Sequence, residues 1–241
     1  MMLYLIAFVM PIILMAVVYV YNWQNRLPIK QVLLPFSLGV LAVLIYICWI
    51  LFDTGQMDGV SHKPDTLIQN IPSVMLDAAM PEELIKWIVL STLLIIGRGQ
   101  KLYDSHYNII MCAVSISMGF AALENMIYLL GSDHMVRTVV ARSLMSVPGH
   151  CCNAIWMGYF CAIAKFEPSK RWFAIPICLI VPIMTHFTHN YSIDIPSYTT
   201  NVWLDCIALL WIAIFDLGVC ILSFKLLKKT KNLYSIQPEI T

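Results

Sequence analysis

Seven long apolar segments limit what this 241-residue chain can fold into. A transmembrane helix needs about twenty predominantly apolar residues. Hydrophobic residues make up 60% of the chain and charged residues 12%, whereas a soluble domain is about half apolar and one quarter charged. We therefore predict an all-α, polytopic bundle of about seven transmembrane helices in the plasma membrane, from the windows 2–21, 32–52, 71–96, 107–130, 135–164, 172–189 and 202–224.

The segments indicate a single transmembrane domain over residues 1–230, with its polar motifs in 71–190, followed by a short cytoplasmic tail, 231–241. The net charge of +1 implies no polyanionic partner such as nucleic acid, and the apolar composition indicates membrane lipid as the surrounding medium. All eight cysteines fall inside apolar segments, so we expect reduced thiols that pack as small hydrophobic side chains.

Basic residues between the segments predict the orientation of the chain. The side that carries the first, third and fifth connections and the tail is rich in lysine and arginine, whereas the other side holds Lys63 alone. Cytoplasmic loops carry the excess of positive charge. We therefore place the N-terminus outside and the C-terminus in the cytoplasm, on the evidence of Arg26, Lys30, Arg98, Lys101, Lys165, Lys170, Arg171, Lys225, Lys228, Lys229 and Lys231.

The third segment holds ionisable residues at membrane depth, in the run Pro81-Glu82-Glu83-Leu84-Ile85-Lys86. Lys86 can reach either glutamate along one helix face. An ion pair that locks two helices together would explain one glutamate. The second carboxylate then needs a metal, another base or a proton, because an unpaired charge in the bilayer is costly.

The fourth segment carries a second polar group, Glu124-Asn125-Met126-Ile127-Tyr128. Glu124 and Tyr128 are four residues apart and share a helix face, with Asn125 beside them. A glutamate that is hydrogen-bonded to tyrosine and holds two helices together is the structural alternative to a functional role.

The fifth segment contains Arg142 and, further along, Pro148-Gly149-His150. Proline and glycine predict an interruption of the helix immediately before the histidine, which would make room for water or substrate. Arg142 is deep enough in the segment to pair with a glutamate of the third segment. A histidine in a membrane helix is otherwise often a hydrogen-bonded packing residue.

The sixth segment ends in Thr185-His186-Phe187-Thr188-His189-Asn190. His186, His189 and Asn190 lie within about 100° of arc on a helix of 3.6 residues per turn. The two histidines could bind a metal, and a histidine with asparagine could bind a metal or a water. An interfacial polar cap explains His189 and Asn190 equally well, but not the deeper His186.

Depth connects these four segments. At about 1.5 Å per residue, the polar residues of the third to sixth segments reach overlapping levels, from the middle of the membrane outward. One shared polar cavity explains this convergence better than four separate structural accidents. We therefore predict a cavity formed by Glu82, Glu83, Glu124, His150 and His186.

In their order, these motifs resemble the PrsW family of intramembrane proteases, within the superfamily of CAAX prenyl endopeptidases and bacteriocin-immunity-type membrane proteins. The resemblance covers about residues 75–190. It rests on Glu82-Glu83-Leu84-Ile85-Lys86, Gly119-Phe120, Glu124-Asn125-Met126-Ile127-Tyr128, Arg142, Pro148-Gly149-His150, and His186 with Asn190. One departure is Pro81, which directly precedes Glu82, whereas the family pattern has its proline a little earlier.

The resemblance implies hydrolysis of a peptide bond within or near the membrane. From the depth and orientation of the polar residues we expect the substrate to be a single-pass membrane protein that is cut near the extracytoplasmic face. Glu82 and Glu83 would be the acid/base pair, and His150 and His186 would hold the attacking water or stabilise the oxyanion. The superfamily favours a metal-independent mechanism; zinc, if present, would bind Glu82, His150 and His186. Supporting roles fall to Lys86, Glu124, Asn125, Tyr128, Arg142 and Asn190.

Two other functions fit the same residues. Intramembrane glutamates and histidines also form the proton relays of transporters, although no inverted repeat is visible in this sequence. A non-catalytic protein that binds membrane partners would retain the same cavity.

Overall fold

The computed structural model describes residues 1–22, 27–53, 64–97 and 103–235, and within these ranges the chain forms seven long helices and no strand. Each helix coincides with one predicted segment, which confirms the all-α bundle. They are α1, Met2–Tyr21; α2, Ile29–Asp53; α3, Asn70–Ser73, Val74–Ala79 and Met80–Ile96 in succession; α4, His106–Leu130; α5, Met135–Ala141, Arg142–Ser146 and Val147–Phe166 in succession; α6, Arg171–Asp194; and α7, Val202–Ser235.

Five of these helices are long and apolar enough to cross a membrane by length and composition alone. They are α1, α2, α4, α6 and α7. The chain is therefore a multi-pass membrane protein. The other two, α3 and α5, carry ionisable residues and change helical type along their length, and that they also cross the membrane stays a prediction.

The helix α4 forms the centre of the bundle. In its apolar stretch 89% of the residues are buried, against 17–28% in the other four apolar helices. It packs against α1, α2 and α5, and α5 packs in turn against α6, whereas α7 lies along α5 and α6 at the periphery. A side chain on α4 therefore faces other helices on almost every side.

Glycines allow α2 and α4 to approach closely. A Cβ atom on Gly39 would overlap the backbone oxygen of Ile116, and one on Gly119 would overlap that of Phe36. Lipid gives no hydrophobic drive to helix association, so membrane helices rely on close packing at small residues. Phe120, next to Gly119, is fully buried and packs towards the polar cluster described below.

Both α3 and α5 contain a π-helical segment, Val74–Ala79 and Arg142–Ser146, and in each a proline follows two residues after the segment ends. Pro81 and Pro148 each occupy the second residue of the next α-helical segment. Proline has no N–H to donate, and wider π-helical turns upstream accommodate its ring. The interruption predicted at Pro148-Gly149 therefore lies earlier in the chain, at 142–146, and the helix continues through His150.

The orientation remains a prediction. Arg26, Arg98, Lys101 and the opposing Lys63 lie outside the described residues, as does the tail from 236 onward. The backbone of α7 is helical from Val202 to Ser235, the last described residue, and so continues past the predicted start of the tail at residue 231.

Candidate active site

The glutamates of α3 lie in the first turn after the π-helical segment, and both are buried, with exposures of 2% for Glu82 and 1% for Glu83. Lys86 is equally buried, one helical turn further on. Its Nζ donates to Glu83 Oε1 at 2.9 Å and lies 3.5 Å from Glu82 Oε2. One ammonium group therefore serves two carboxylates, as the spacing predicts. Its other face rests on the ring of Phe120, 4.3 Å from the centroid.

Two histidines complete this centre from α5 and α6. His150 Nδ1 lies 3.1 Å from Lys86 Nζ, and His186 Nδ1 lies 3.0 Å from Glu83 Oε1. The two imidazole rings are 5.3 Å apart and nearly perpendicular. The predicted convergence of α3, α5 and α6 is therefore present in the structure as direct contacts.

Hydrogen bonds fix how each imidazole is presented. His150 Nε2 lies 2.9 Å from Glu124 Oε2, and His186 Nδ1 faces Glu83. A carboxylate only accepts hydrogen bonds, so these two nitrogens carry the hydrogen. The lone pairs of the neutral rings are then on His150 Nδ1 and His186 Nε2, and the latter is 4.0 Å from Glu82 Oε2.

Glu124 joins α4 to α5. The sequence predicts that it pairs with Tyr128 and that Arg142 pairs with a glutamate of α3, and the structure shows neither pairing. Arg142 donates to Glu124 Oε2 at 2.7 Å and to Asn125 Oδ1 at 2.6 Å. The expected pairing of Arg142 with an α3 glutamate was wrong, because Lys86 already occupies those carboxylates. Tyr128 does not hydrogen-bond Glu124; its ring lies 3.9 Å beneath the Arg142 guanidinium. Asn125 also donates to the carbonyl of Ala7, which ties α1 to the site.

The cluster has the composition of a metal site. One ligand atom each from Glu82, His150 and His186 lies within 4.8 Å of the others. Within the described chain, Glu82 Oε2 and Glu83 Oε2 are buried without a hydrogen-bond partner, which is unusual for buried carboxylates. Two histidines and a glutamate, each histidine backed by another carboxylate, suit a catalytic zinc site with an open position. The residues therefore fit a metal, provided that the Lys86 ammonium moves away from His150 Nδ1.

A cavity of about 860 Å³ leads to this cluster. It is lined by α3, α4, α5 and α6, with buried Glu124, His150 and His186 at one end and the exposed connection 131–134 at the other. Tyr128, Asn190 and His189 also line it. Asn190 makes no hydrogen bond to the cluster among the described residues, so its amide is free for another partner.

One polar pair escaped the sequence analysis. His189 Nδ1 lies 3.0 Å from Asp216 Oδ2, a residue in the middle of α7. The sequence predicts His189 as a metal ligand or as part of an interfacial polar cap, and the family resemblance ends at about residue 190, before the seventh segment begins. The available signal was an aspartate within an apolar segment, but nothing in the sequence links it to α6.

Comparison with known proteins agrees with this arrangement. The family model described as PrsW family intramembrane metalloprotease matches residues 27–218, which include all the helices of the site. The chain belongs to the PrsW family. Its members are intramembrane proteases, so the resemblance noted from the motifs is confirmed.

Individual PrsW proteins cover most of the chain. Protease PrsW of Bacillus subtilis is 28% identical over 205 residues, which are 83% of this chain and 86% of the relative. Protease PrsW of Geobacillus kaustophilus is 29% identical over 180 residues, 74% of this chain and 73% of the relative. No solved structure matches the chain. The family description names a metalloprotease, which favours a metal more strongly than the motifs alone did.

Proposed function

We propose that this PrsW protein is a metal-dependent endopeptidase that hydrolyses a peptide bond of a single-pass membrane protein. The observation that carries the proposal is the meeting of four buried groups from three helices, beside a cavity that His150 and His186 line: Glu82, Glu83, His150 and His186. A proton-coupled transporter would need a polar route through to the other side, whereas the residues that line the described cavity extend from the buried cluster to the 131–134 connection.

Glu82, His150 and His186 would hold the metal. A bound zinc ion would polarise the scissile carbonyl and lower the pKa of a water molecule. Glu83 and Glu124 would orient the two imidazoles, because each carboxylate fixes the tautomer that leaves a lone pair for the metal. The buried position of all three ligands keeps bulk water away from the reacting atoms.

Glu83 is the residue best suited to move protons. Its Oε1 is held by Lys86 and His186, while Oε2 has no partner in the described chain. Oε2 would take a proton from the attacking water as the water oxygen bonds to the carbonyl carbon. When the C–N bond breaks, the same carboxyl group would return that proton to the leaving amine. In this proposal Glu82 is a metal ligand, and not one member of an acid/base pair as the resemblance implied.

Asn190 would stabilise the oxyanion. It lines the cavity one helical turn from His186, and its amide has no competing partner in the cluster. A preorganised N–H donor in a site of low dielectric stabilises developing negative charge strongly. Lys86 supplies a second positive group beside the carboxylates.

From the cavity position and the predicted orientation, we expect the cut on the extracytoplasmic side of the substrate's span. A helical substrate has its carbonyls occupied by internal hydrogen bonds, so hydrolysis requires local unwinding, which is easiest near a helix end. The test is to incubate purified protein with dye-labelled single-pass transmembrane substrates in detergent and to identify both product termini by mass spectrometry. We expect a cut in the outer juxtamembrane segment or the first outer turns. A cut on the cytoplasmic side would contradict the proposed placement.

A further inference from the structure

A second pair of ionisable residues lies between α6 and α7, outside the cluster assigned above. His189 is 8% exposed, and its Nδ1 faces both carboxylate oxygens of Asp216, at 3.1 and 3.0 Å. An aspartate in the middle of a membrane helix is costly and is seldom present without a function. The family motif on α6 includes His186 and Asn190 but uses neither member of this pair.

The pair lies next to the reacting groups. A small pocket between α5, α6 and α7 is bounded by His189 and Asp216 and also by His150 and His186. Its volume is about 30 Å³, which is room for about one water molecule. His189 also lines the large cavity, so its side chain borders both spaces. A Cβ atom on Gly149 of α5 would meet nothing within 4 Å, so this side of the site is open.

Asp216 determines which hydrogen-bonding groups His189 can offer. Its carboxylate accepts from Nδ1–H, so in the neutral ring Nε2 is left with a lone pair and becomes an acceptor. Nε2 of His189 has no partner among the described residues. The lone-pair nitrogens of the other two rings do have neighbours: His150 Nδ1 faces Lys86, and His186 Nε2 faces Glu82. His189 therefore presents a free acceptor beside a site where peptide backbone must bind.

An unwound substrate needs such an acceptor. Unwinding frees backbone N–H groups at a depth where little water is available, and each unsatisfied group costs several kcal/mol in lipid. Two acids of the cavity wall already accept hydrogen bonds from side chains: Asp194 from Asn70 and Asp77 from Ser73.

We propose that His189 binds a backbone N–H of the unwound substrate, and that Asp216 is the positioning residue that keeps its Nε2 an acceptor. This rests on the proposed function, because it assigns a substrate-binding group to the same site. The ligand class is an extended peptide segment bound by its main chain, so the contribution does not depend on the substrate's side chains.

The test is Asp216→Asn, measured by steady-state cleavage of a panel of dye-labelled single-pass transmembrane peptides. The asparagine amide no longer fixes the tautomer, because it can donate to Nδ1 as well as accept from it; where it donates, the ring hydrogen moves to Nε2 and the acceptor becomes a donor. We expect KM to rise about tenfold for every peptide that is cleaved, with kcat within about twofold, because a binding contact present in both ground and transition states is lost. An unchanged KM would overturn the inference.

A residue swap separates positioning from helix packing. The double variant His189→Asp with Asp216→His keeps the α6–α7 pair but removes the imidazole from the cavity. We expect its melting temperature to match that of the unaltered protein while KM stays raised; recovery of the original KM would mean that the pair only joins the helices. If the unaltered protein cleaves no peptide, the proposed function fails together with this inference, whereas an unchanged KM in Asp216→Asn overturns the inference alone.

Discussion

At the scale of single residues, two carboxylate oxygens of the buried cluster each contact two other side chains. Glu124 Oε2 accepts from both Arg142 and His150, and Glu83 Oε1 is contacted by both Lys86 and His186. Charge-assisted bonds of this kind are strong, and in a low-dielectric interior each also orients its neighbour. Changing one member should therefore disturb the geometry of the next residue.

Glu124→Gln tests the orienting role. The amide removes the charge that holds Arg142 and permits the wrong tautomer of His150, but it leaves Glu82, Glu83 and His186 in place. We expect cleavage to fall about 10- to 100-fold, the usual cost of losing a partner of a metal ligand. Activity is compared with that of Glu167→Gln, an exposed glutamate paired with Lys170. Complete inactivation would instead place Glu124 among the reacting groups.

Metal dependence is a second prediction at this scale. Purified protein should contain about one zinc ion per chain, because a two-histidine, one-carboxylate set matches catalytic zinc sites. Elemental analysis measures the content, and exhaustive chelation should abolish cleavage until zinc is restored. His186→Ala should lose the ion. Full activity after chelation, with no stoichiometric metal, would return Glu82 and Glu83 to the metal-independent acid/base pair that the motifs suggested.

At the scale of elements, α3 and α5 share one structural feature, a π-helical segment upstream of a proline. In each, a π-helical segment precedes a proline, and the residues of the centre follow directly: Glu82 and Glu83 after Pro81, and His150 two residues after Pro148. π-helical turns often mark functional sites, because they shift side chains relative to a regular helix. The unusual place of Pro81 in the motif is thereby explained.

Gly119→Ala tests the close contact between α2 and α4. The added methyl group would overlap the backbone of Phe36, and a backbone cannot rotate away as a side chain can. We expect a fall in melting temperature in detergent, with a cost of about 1–3 kcal/mol for overpacking. Gly218→Ala is the matched control, because a Cβ atom there meets nothing within 4 Å. Equal melting temperatures for the two variants would contradict the packing described.

The sequence predicts the elements better than their contacts. Apolar length identifies every helix, and helical spacing alone pairs Lys86 with the α3 glutamates. The similar depth of these residues in the membrane predicts that His150 and His186 contact the α3 glutamates. The partner of Arg142 and the His189–Asp216 pair could not be predicted, because they depend on how α4 and α7 are rotated about their axes. The π-helical segments also leave no local pattern beyond the prolines.

At the scale of the whole molecule, the cavity extends from the buried cluster to the connection between α4 and α5, whose residues 131–134 line it. Whether that end faces outward depends on the predicted topology. Lys170 and Arg171 are exposed at the opposite end, and the positive-inside rule therefore predicts that the 131–134 end lies on the extracytoplasmic side.

Single cysteines on a background without native cysteines test this topology. Ser169→Cys, in the connection between α5 and α6, should resist a membrane-impermeant thiol reagent in intact cells. Thr200→Cys, between α6 and α7, should react. Both positions are exposed, so accessibility depends on the side of the membrane rather than on burial. Lysed cells provide the control, since both should then react. The reverse pattern in intact cells would invert the orientation and the predicted side of the cut.

The central claim is that the buried cluster hydrolyses peptide bonds, and the most direct measurement is the cleavage rate of the isosteric variant Glu83→Gln. The amide keeps the shape of the side chain but cannot take a proton from water. With insertion and accumulation equal to those of the unaltered protein, we predict a rate lower by about 10²- to 10⁴-fold, while Glu167→Gln retains full activity. A Glu83→Gln rate within about twofold of the unaltered protein would contradict the account.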